Sequence, residues 1–138
     1  CLMEQWYPGQ NIGITGVSKS GIIAASAALL KPSATKVYLA SGLSMFEDVF
    51  VSNNQWGYGF GERGLYERNA VLASLWDRTV RLSYSSNDDV SYRVEATDKR
   101  LLNAVNAVRS SWGKPVVTQY SAAPTHYYNA ADVTAFFN

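Results

Sequence analysis

His126 is the only histidine of the chain and stands in Ala123-Pro124-Thr125-His126-Tyr127-Tyr128. Ser18 stands in Gly16-Val17-Ser18-Lys19-Ser20-Gly21, and two adjacent carboxylates close the polar run Ser85-Ser86-Asn87-Asp88-Asp89. Together these residue types can carry out acyl transfer. A serine hydroxyl attacks a carbonyl poorly until a base takes its proton. Imidazole, with a pKa of about 6.5, takes that proton at neutral pH and returns it to the leaving group. A carboxylate on the ring's other nitrogen fixes the tautomer and stabilises the imidazolium. The acyl group rests on the serine before it passes to water or another acceptor.

Such side chains must meet in space, so the elements that carry them matter next. Residues 11–15 are a short run rich in β-branched side chains (Ile12, Ile14, Thr15), with Gly13 among them and Gly16 after them, and read as a buried strand ending in a sharp turn. Residues 20–30 are apolar on every side and read as a helix buried all round, ended by Lys31-Pro32-Ser33. Residues 36–40 form a second strand, and strand–helix–strand over this length implies a parallel sheet. Residues 62–76 return to a helical pattern through Leu65, Asn69, Leu72 and Trp76, and 79–84 read as a third strand. Thr97 is the expected N-cap of a helix with Asp98 in its first turn and Leu101, Val105, Val108 and Trp112 along its stripe. Gly113 closes that helix, 115–120 read as a fourth strand, and 130–137 as a final helix. Segments 65–92 and 101–128 match weakly at an offset of 36, as in Trp76/Trp112 and Val80/Val116, which two helix–strand units of similar burial explain. The expectation is an α/β fold, a three-layer sandwich around a mostly parallel sheet. Ser18, Asp88 and His126 would each lie just past the C-terminal end of a strand, where open α/β sheets place their sites.

The Gly16 to Gly21 run, set between strand and helix, resembles the nucleophile elbow of the α/β-hydrolases, usually written G-x-S-x-G, with Ser20 in place of the last glycine. The residues two before and two after the serine approach closely there, so both must be small. The loop after the third strand, Tyr84 to Val90, is similar to that family's acid loop, with Asp88 on the acid position, Asp89 as the alternative, and Tyr84-Ser85 where a histidine–glycine pair is usual. His126 falls where the family keeps its histidine, and the order Ser, Asp, His is the family's own. The resemblance implies a serine hydrolase or acyltransferase acting through Ser18, His126 and Asp88 on a small-molecule ester, amide or acyl substrate. The backbone N–H of Lys19 would serve the oxyanion hole. It spans nearly the whole chain but only the second half of the family fold, from the elbow strand onward. The N-terminal strands, and the second oxyanion donor, would come from a missing N-terminal segment or a partner chain that completes the sheet. Residues 43–61 occupy a place where the family inserts a lid, and Phe50, Trp56, Tyr58 and Phe60 are the candidate substrate-pocket residues.

The bulk properties set limits. At 138 residues, with 47% hydrophobic and 17% charged, the chain reads as a single ordered domain over 1–138. A net charge of +1 without a basic run gives no reason to expect nucleic acid or an anionic membrane as partner. No apolar run approaches the roughly 20 residues that cross a bilayer. Cys1 is the only cysteine, so no intrachain disulfide forms, and with one histidine no metal site is expected and no cofactor implied. Residues 1–8 read as the last turns of a helix stopped by Pro8-Gly9 rather than as a lipid-bearing end. Two other readings compete. Gly13 to Ser20 approaches the phosphate loop G-x-x-x-x-G-K-S, though Ser18 stands at its second glycine, and a non-catalytic binding module on the hydrolase fold would keep the serine incidentally.

Overall fold

The computed structural model describes residues 5–17, 19–40, 73–83, 95–120 and 129–138. They form strand β1 (Ile12–Val17), helix α1 (Lys19–Leu30), β2 (Ala34–Ala40), β3 (Thr79–Ser83), helix α2 (Glu95–Ser111), β4 (Thr118–Tyr120) and helix α3 (Ala130–Phe137). The four strands make one open sheet in the order β1-β2-β3-β4, every neighbouring pair parallel. This is an α/β arrangement. The helical residues Gln5 and Trp6 turn through Pro8 and Gly9, whose φ of 74° a glycine adopts freely, before β1 begins.

Side chains alternate across the sheet, as a pleated strand requires. Val37 and Leu39 of β2 join one buried cluster, and Tyr38 and Ala40 join another. The first cluster brings Ala24, Ala25 and Ala28 of α1 and Leu102 and Val105 of α2 against Val80, Leu82 and Val117. Full burial of each of its larger aliphatic side chains contributes about 1.5–3 kcal/mol. The second cluster is smaller and holds α3 through Phe136, with Val133 and Phe137 half-buried around it.

Three local expectations change. Helix α1 is apolar on every side but not buried on every side: its alanine stripe faces the sheet while Ile23 is 64% and Leu30 80% exposed. Helix α2 starts at Glu95, which places Thr97 inside the helix instead of at its cap. Its buried stripe is Leu102, Val105 and Arg109, whereas Val108 and Trp112 are exposed. The reason is Arg109. Its guanidinium donates to three carbonyls, Nη1 to Leu75 (3.0 Å), Nη2 to Arg78 (2.6 Å) and Nε to Pro115 (2.5 Å), which turns that face of α2 inward. A buried cation is tolerated only with such partners. Burial pulls its pKa below the ordinary value, and the charge of Asp77 opposes that shift.

The fourth strand is shorter than expected. Pro115 has no N–H to give a ladder, and pairing begins at Thr118. Val117 is held instead by Asn106, whose side-chain amide donates to its carbonyl (2.9 Å) and accepts from its N–H (2.7 Å). The offset match of 36 therefore does not describe equivalent strands: Val80 is buried in β3, whereas Val116 precedes β4 and is exposed.

Candidate functional site

Strand β1 runs to Val17 and helix α1 begins at Lys19, so the chain turns from strand to helix across the single position 18. The corner is crowded. A Cβ added to Gly16 would lie 2.6 Å from the Ser20 carbonyl carbon and 2.8 Å from the Gly21 nitrogen, and nearer still to the Ser20 oxygen. Only glycine fits at 16, because what it meets is backbone. The Ser20 hydroxyl ties the two sides of the turn together: it accepts from the Val17 N–H (3.1 Å) and donates to the Val17 carbonyl (2.5 Å). Lys19 opens α1, so its N–H is one of the leading donors that a helix leaves without an intrahelical acceptor, at the positive end of the helix dipole.

The strand ends share one line across the sheet. Val17 pairs with Ala40, Ala40 with Ser83, and Ser83 with Tyr120, each the last residue of its strand. The segments that follow β1, β3 and β4 thus leave from the same edge, and in sequence they are the ones with Ser18, Asp88 and His126. Those three residues, the alternative acid Asp89 and the pocket candidates Phe50, Trp56, Tyr58 and Phe60 lie outside the described residues, as does segment 43–61. Lys19 is described as the first residue of α1.

Below that edge, on the α3 face, lies a polar cluster that sequence reasoning missed. Asp132 of α3 accepts from the Tyr38 hydroxyl (2.7 Å) and from Nη1 of Arg81 (2.6 Å), so it bridges β2 and β3. Arg81 also donates through Nε to the Thr118 hydroxyl of β4 (3.1 Å), and its guanidinium carbon lies 5.1 Å from the centre of the Phe136 ring. Lys36 of β2 donates to the Phe136 and Phe137 carbonyls at the C-terminal end of α3 (3.1 and 3.2 Å), where a cation suits the helix dipole. Asn129 caps the other end, its side chain accepting from the N–H groups of Ala131 and Asp132. Burial pushes the pKa of Tyr38 above its ordinary value; Ser83 opposes the shift, Asp132 adds to it, and Arg81 opposes it. Among the described residues the buried Ser83 hydroxyl lies near enough to Tyr38 to influence it without reaching full hydrogen-bond geometry to any partner. The sequence signal for this cluster is Arg81, a cation set between the apolar Val80 and Leu82 of β3.

A groove of about 610 Å³ between β1 and α3 is lined in part by Gly13, Thr15, Lys36 and Phe137, toward the end of the sheet away from position 18. Among the described residues no group of histidine, cysteine and carboxylate side chains could hold a metal, and no helix is long and apolar enough to cross a membrane. No protein-family model, curated protein or solved structure matches this chain.

Proposed function

We propose that this chain works as a serine hydrolase or acyltransferase. Ser18 is the nucleophile, His126 the general base and then acid, and Asp88 (or its neighbour Asp89) the carboxylate that orients the imidazole. The backbone N–H of Lys19 contributes to the oxyanion hole, and the substrate is a small-molecule ester or amide. One observation carries the reading above the others: the strand-to-helix turn at position 18 is so tight that no side chain fits at Gly16. Such a turn exposes a serine at its apex ahead of a helix N-terminus, which is what an acyl-transfer nucleophile requires. The common edge of β1, β3 and β4 adds support, since the three reacting groups follow those strands in sequence.

In this reading α1 and α2 on one face and α3 on the other are the outer layers of a three-layer sandwich of α/β-hydrolase type. The sheet continues beyond β1 in strands from an N-terminal segment or a partner chain, and 43–61, with Phe50, Trp56, Tyr58 and Phe60, shapes the acyl pocket. The phosphate-loop alternative would need residues 13–17 as an open loop around phosphate, and in the structure they belong to a strand paired with β2. A fluorophosphonate probe tests the proposal. It should label Ser18 in the intact protein and leave Ser18→Ala unlabelled. An unlabelled parent protein, or a Ser18→Ala variant labelled as fast as the parent, would refute it.

A further inference from the structure

We infer that β1 pairs antiparallel with the β1 of a second copy of this chain, about a two-fold axis at Ile14, so that two four-stranded sheets become one. This deepens one element of the reading above, the continuation of the sheet beyond β1, and does not draw on its chemistry. Strand β1 ends the sheet, and among the described residues no strand lies on its outer side. Successive residues of a strand turn their N–H and C=O groups to opposite sides. The Ile12 N–H points inward, to the Ser33 carbonyl (2.8 Å), so those of Gly13, Thr15 and Val17 point outward. The one irregularity of register skips Thr35 of β2 and leaves the alternation along β1 unbroken. The Ser20 hydroxyl takes the Val17 N–H (3.1 Å). Gly13 and Thr15 remain, both exposed, each with a donor and an acceptor facing the open edge. Edge strands are usually guarded by a charge or a proline, and Ile12–Val17 has neither.

The occupant that fits this edge is the edge itself. An axis at Ile14 sets Gly13 of each copy opposite Thr15 of the other, and each such pair exchanges two hydrogen bonds. An axis at Thr15 would set Gly13 opposite Val17, whose N–H and C=O the Ser20 hydroxyl already holds. An axis at Gly13 would set Thr15 opposite Asn11, which lies before the strand. The side chains agree with the axis at Ile14. On one face Ile14, half-buried at the rim of the larger core cluster, meets its own copy, and Ile12 falls opposite Gly16. On the other face Thr15 falls opposite Gly13, beside the Phe137 ring that fills the space over that glycine. Each glycine thus meets a branched side chain. Helix α1 packs on both β1 and β2, so its two copies come to about 10 Å apart, the separation of packed helices. It carries no charge after Lys19. That helix pair adds the area that two six-residue strands lack against the roughly 1,200 Å² of a specific interface. Lys36, the charged residue of the groove beside β1, stands one strand further in. Its two copies are about 14 Å apart, beyond the Debye length of about 8 Å, and do not oppose the pairing.

Sedimentation equilibrium of the full 138-residue chain, with amide hydrogen exchange of β1 followed at low and high concentration, tests the pairing. A dimer with a Kd on the order of 10 µM is expected, the Gly13 and Thr15 amides slowing as it forms. Thr15→Pro removes an outward N–H and leaves the ladder to β2 intact, and should raise that Kd about 10- to 100-fold. Thr15→Lys, which sets like charges across the seam, should raise it as well. Parent-like exchange in β2 and β3 shows that both variants are folded. The register is read from Cys1→Ser/Ile14→Cys. The paired Cα atoms at position 14 lie about 4.5 Å apart, within disulfide range, so oxidation should give a covalent dimer, and Cys1→Ser/Ile12→Cys should not. A chain that stays monomeric at about 200 µM, twentyfold above the expected Kd, overturns the inference, whether its β1 amides exchange freely or another segment of the same chain protects them. A dimer that both Thr15 variants leave intact overturns it too. A monomer whose Ser18 takes the fluorophosphonate would end the pairing and leave the hydrolase reading standing; a dimer paired through β1 that takes no label would do the reverse.

Discussion

Gly16→Ala probes the turn on which the functional reading stands. The added methyl would lie 2.6 Å from the Ser20 carbonyl carbon and 2.8 Å from the Gly21 nitrogen. Carbon atoms in favourable contact sit about 3.5–4.0 Å apart, so something must move by close to 1 Å. The atoms in the way are the main chain of the first turn of α1, whose Ser20 hydroxyl also grips Val17, so that turn must shift as a unit. Overpacking typically costs about 1–3 kcal/mol, and with backbone as the obstacle the expected loss is near the upper end, about 3 kcal/mol. A domain of this length has on the order of 7–20 kcal/mol of stability, so the variant should still fold. Gly13→Ala is the matched control: its methyl would lie 2.5 Å from Cδ1 of Phe137, an atom of a ring that can swing aside. Urea denaturation is expected to show a loss of about 1 kcal/mol for Gly13→Ala, largely relieved by adding Phe137→Leu, and about three times that loss for Gly16→Ala. Fluorophosphonate labelling of folded Gly16→Ala should drop by about 100-fold, the usual result of misplacing a reacting group by about 1 Å. A Gly16→Ala protein within about 0.5 kcal/mol of the parent would show that residues 16 and 20 are not in contact, and the elbow would be lost with them.

Arg109→Met deprives the Leu75, Arg78 and Pro115 carbonyls of their shared donor and is expected to cost at least about 3 kcal/mol in urea denaturation. Arg109→Lys should restore less than half of that, because the three N–H groups of an ammonium radiate from a single nitrogen and cannot span carbonyls that the guanidinium reaches through three separate nitrogens, and a loss under about 1 kcal/mol for Arg109→Met would contradict this account. Tyr38 concerns alkaline pH. Its pKa is raised in the fold, chiefly by burial, above an unfolded value of 10.0, so the neutral hydroxyl contributes stability that is present below about pH 10 and lost as pH rises beyond it. Unfolding measured from pH 8 to 11 should therefore show the parent losing stability faster than Tyr38→Phe above pH 10; parallel curves would refute the assignment.

Much of the framework was legible because its causes are local. Proline and glycine punctuation marked where α1 stops and where α2 closes, and the bounds expected for α3 match those observed. The demand for a small residue at Gly16 came with the resemblance to the nucleophile elbow, in which the residues flanking the turn from strand to helix approach closely. Helical spacing by itself predicts an apolar stripe on α2 through Leu101, Val105, Val108 and Trp112, and the stripe observed differs from it in phase. Arg109 interrupts that stripe, and an arginine is ordinarily a surface residue. Its burial becomes sensible only once three carbonyls from two other loops surround it, which one segment of sequence does not reveal. The expected burial of α1 failed for a related reason. Apolarity all round says that a helix tolerates burial, whereas the neighbours present decide how much of it is covered.

The sequence by itself determined the alternation of strand and helix, the small residue that the turn after β1 requires at Gly16, and the order in which a serine, a carboxylate pair and a histidine follow β1, β3 and β4 along the chain. These follow from backbone sterics and from the period of the side chains, which act within a few residues. Tertiary structure alone decided that β1, β3 and β4 end in one row, that α3 lies across β2 instead of beside β4, and that Asp132 joins Tyr38 and Arg81. Those residues lie 51 and 94 positions from Asp132 along the chain, and only the parallel pairing of the strands brings them together.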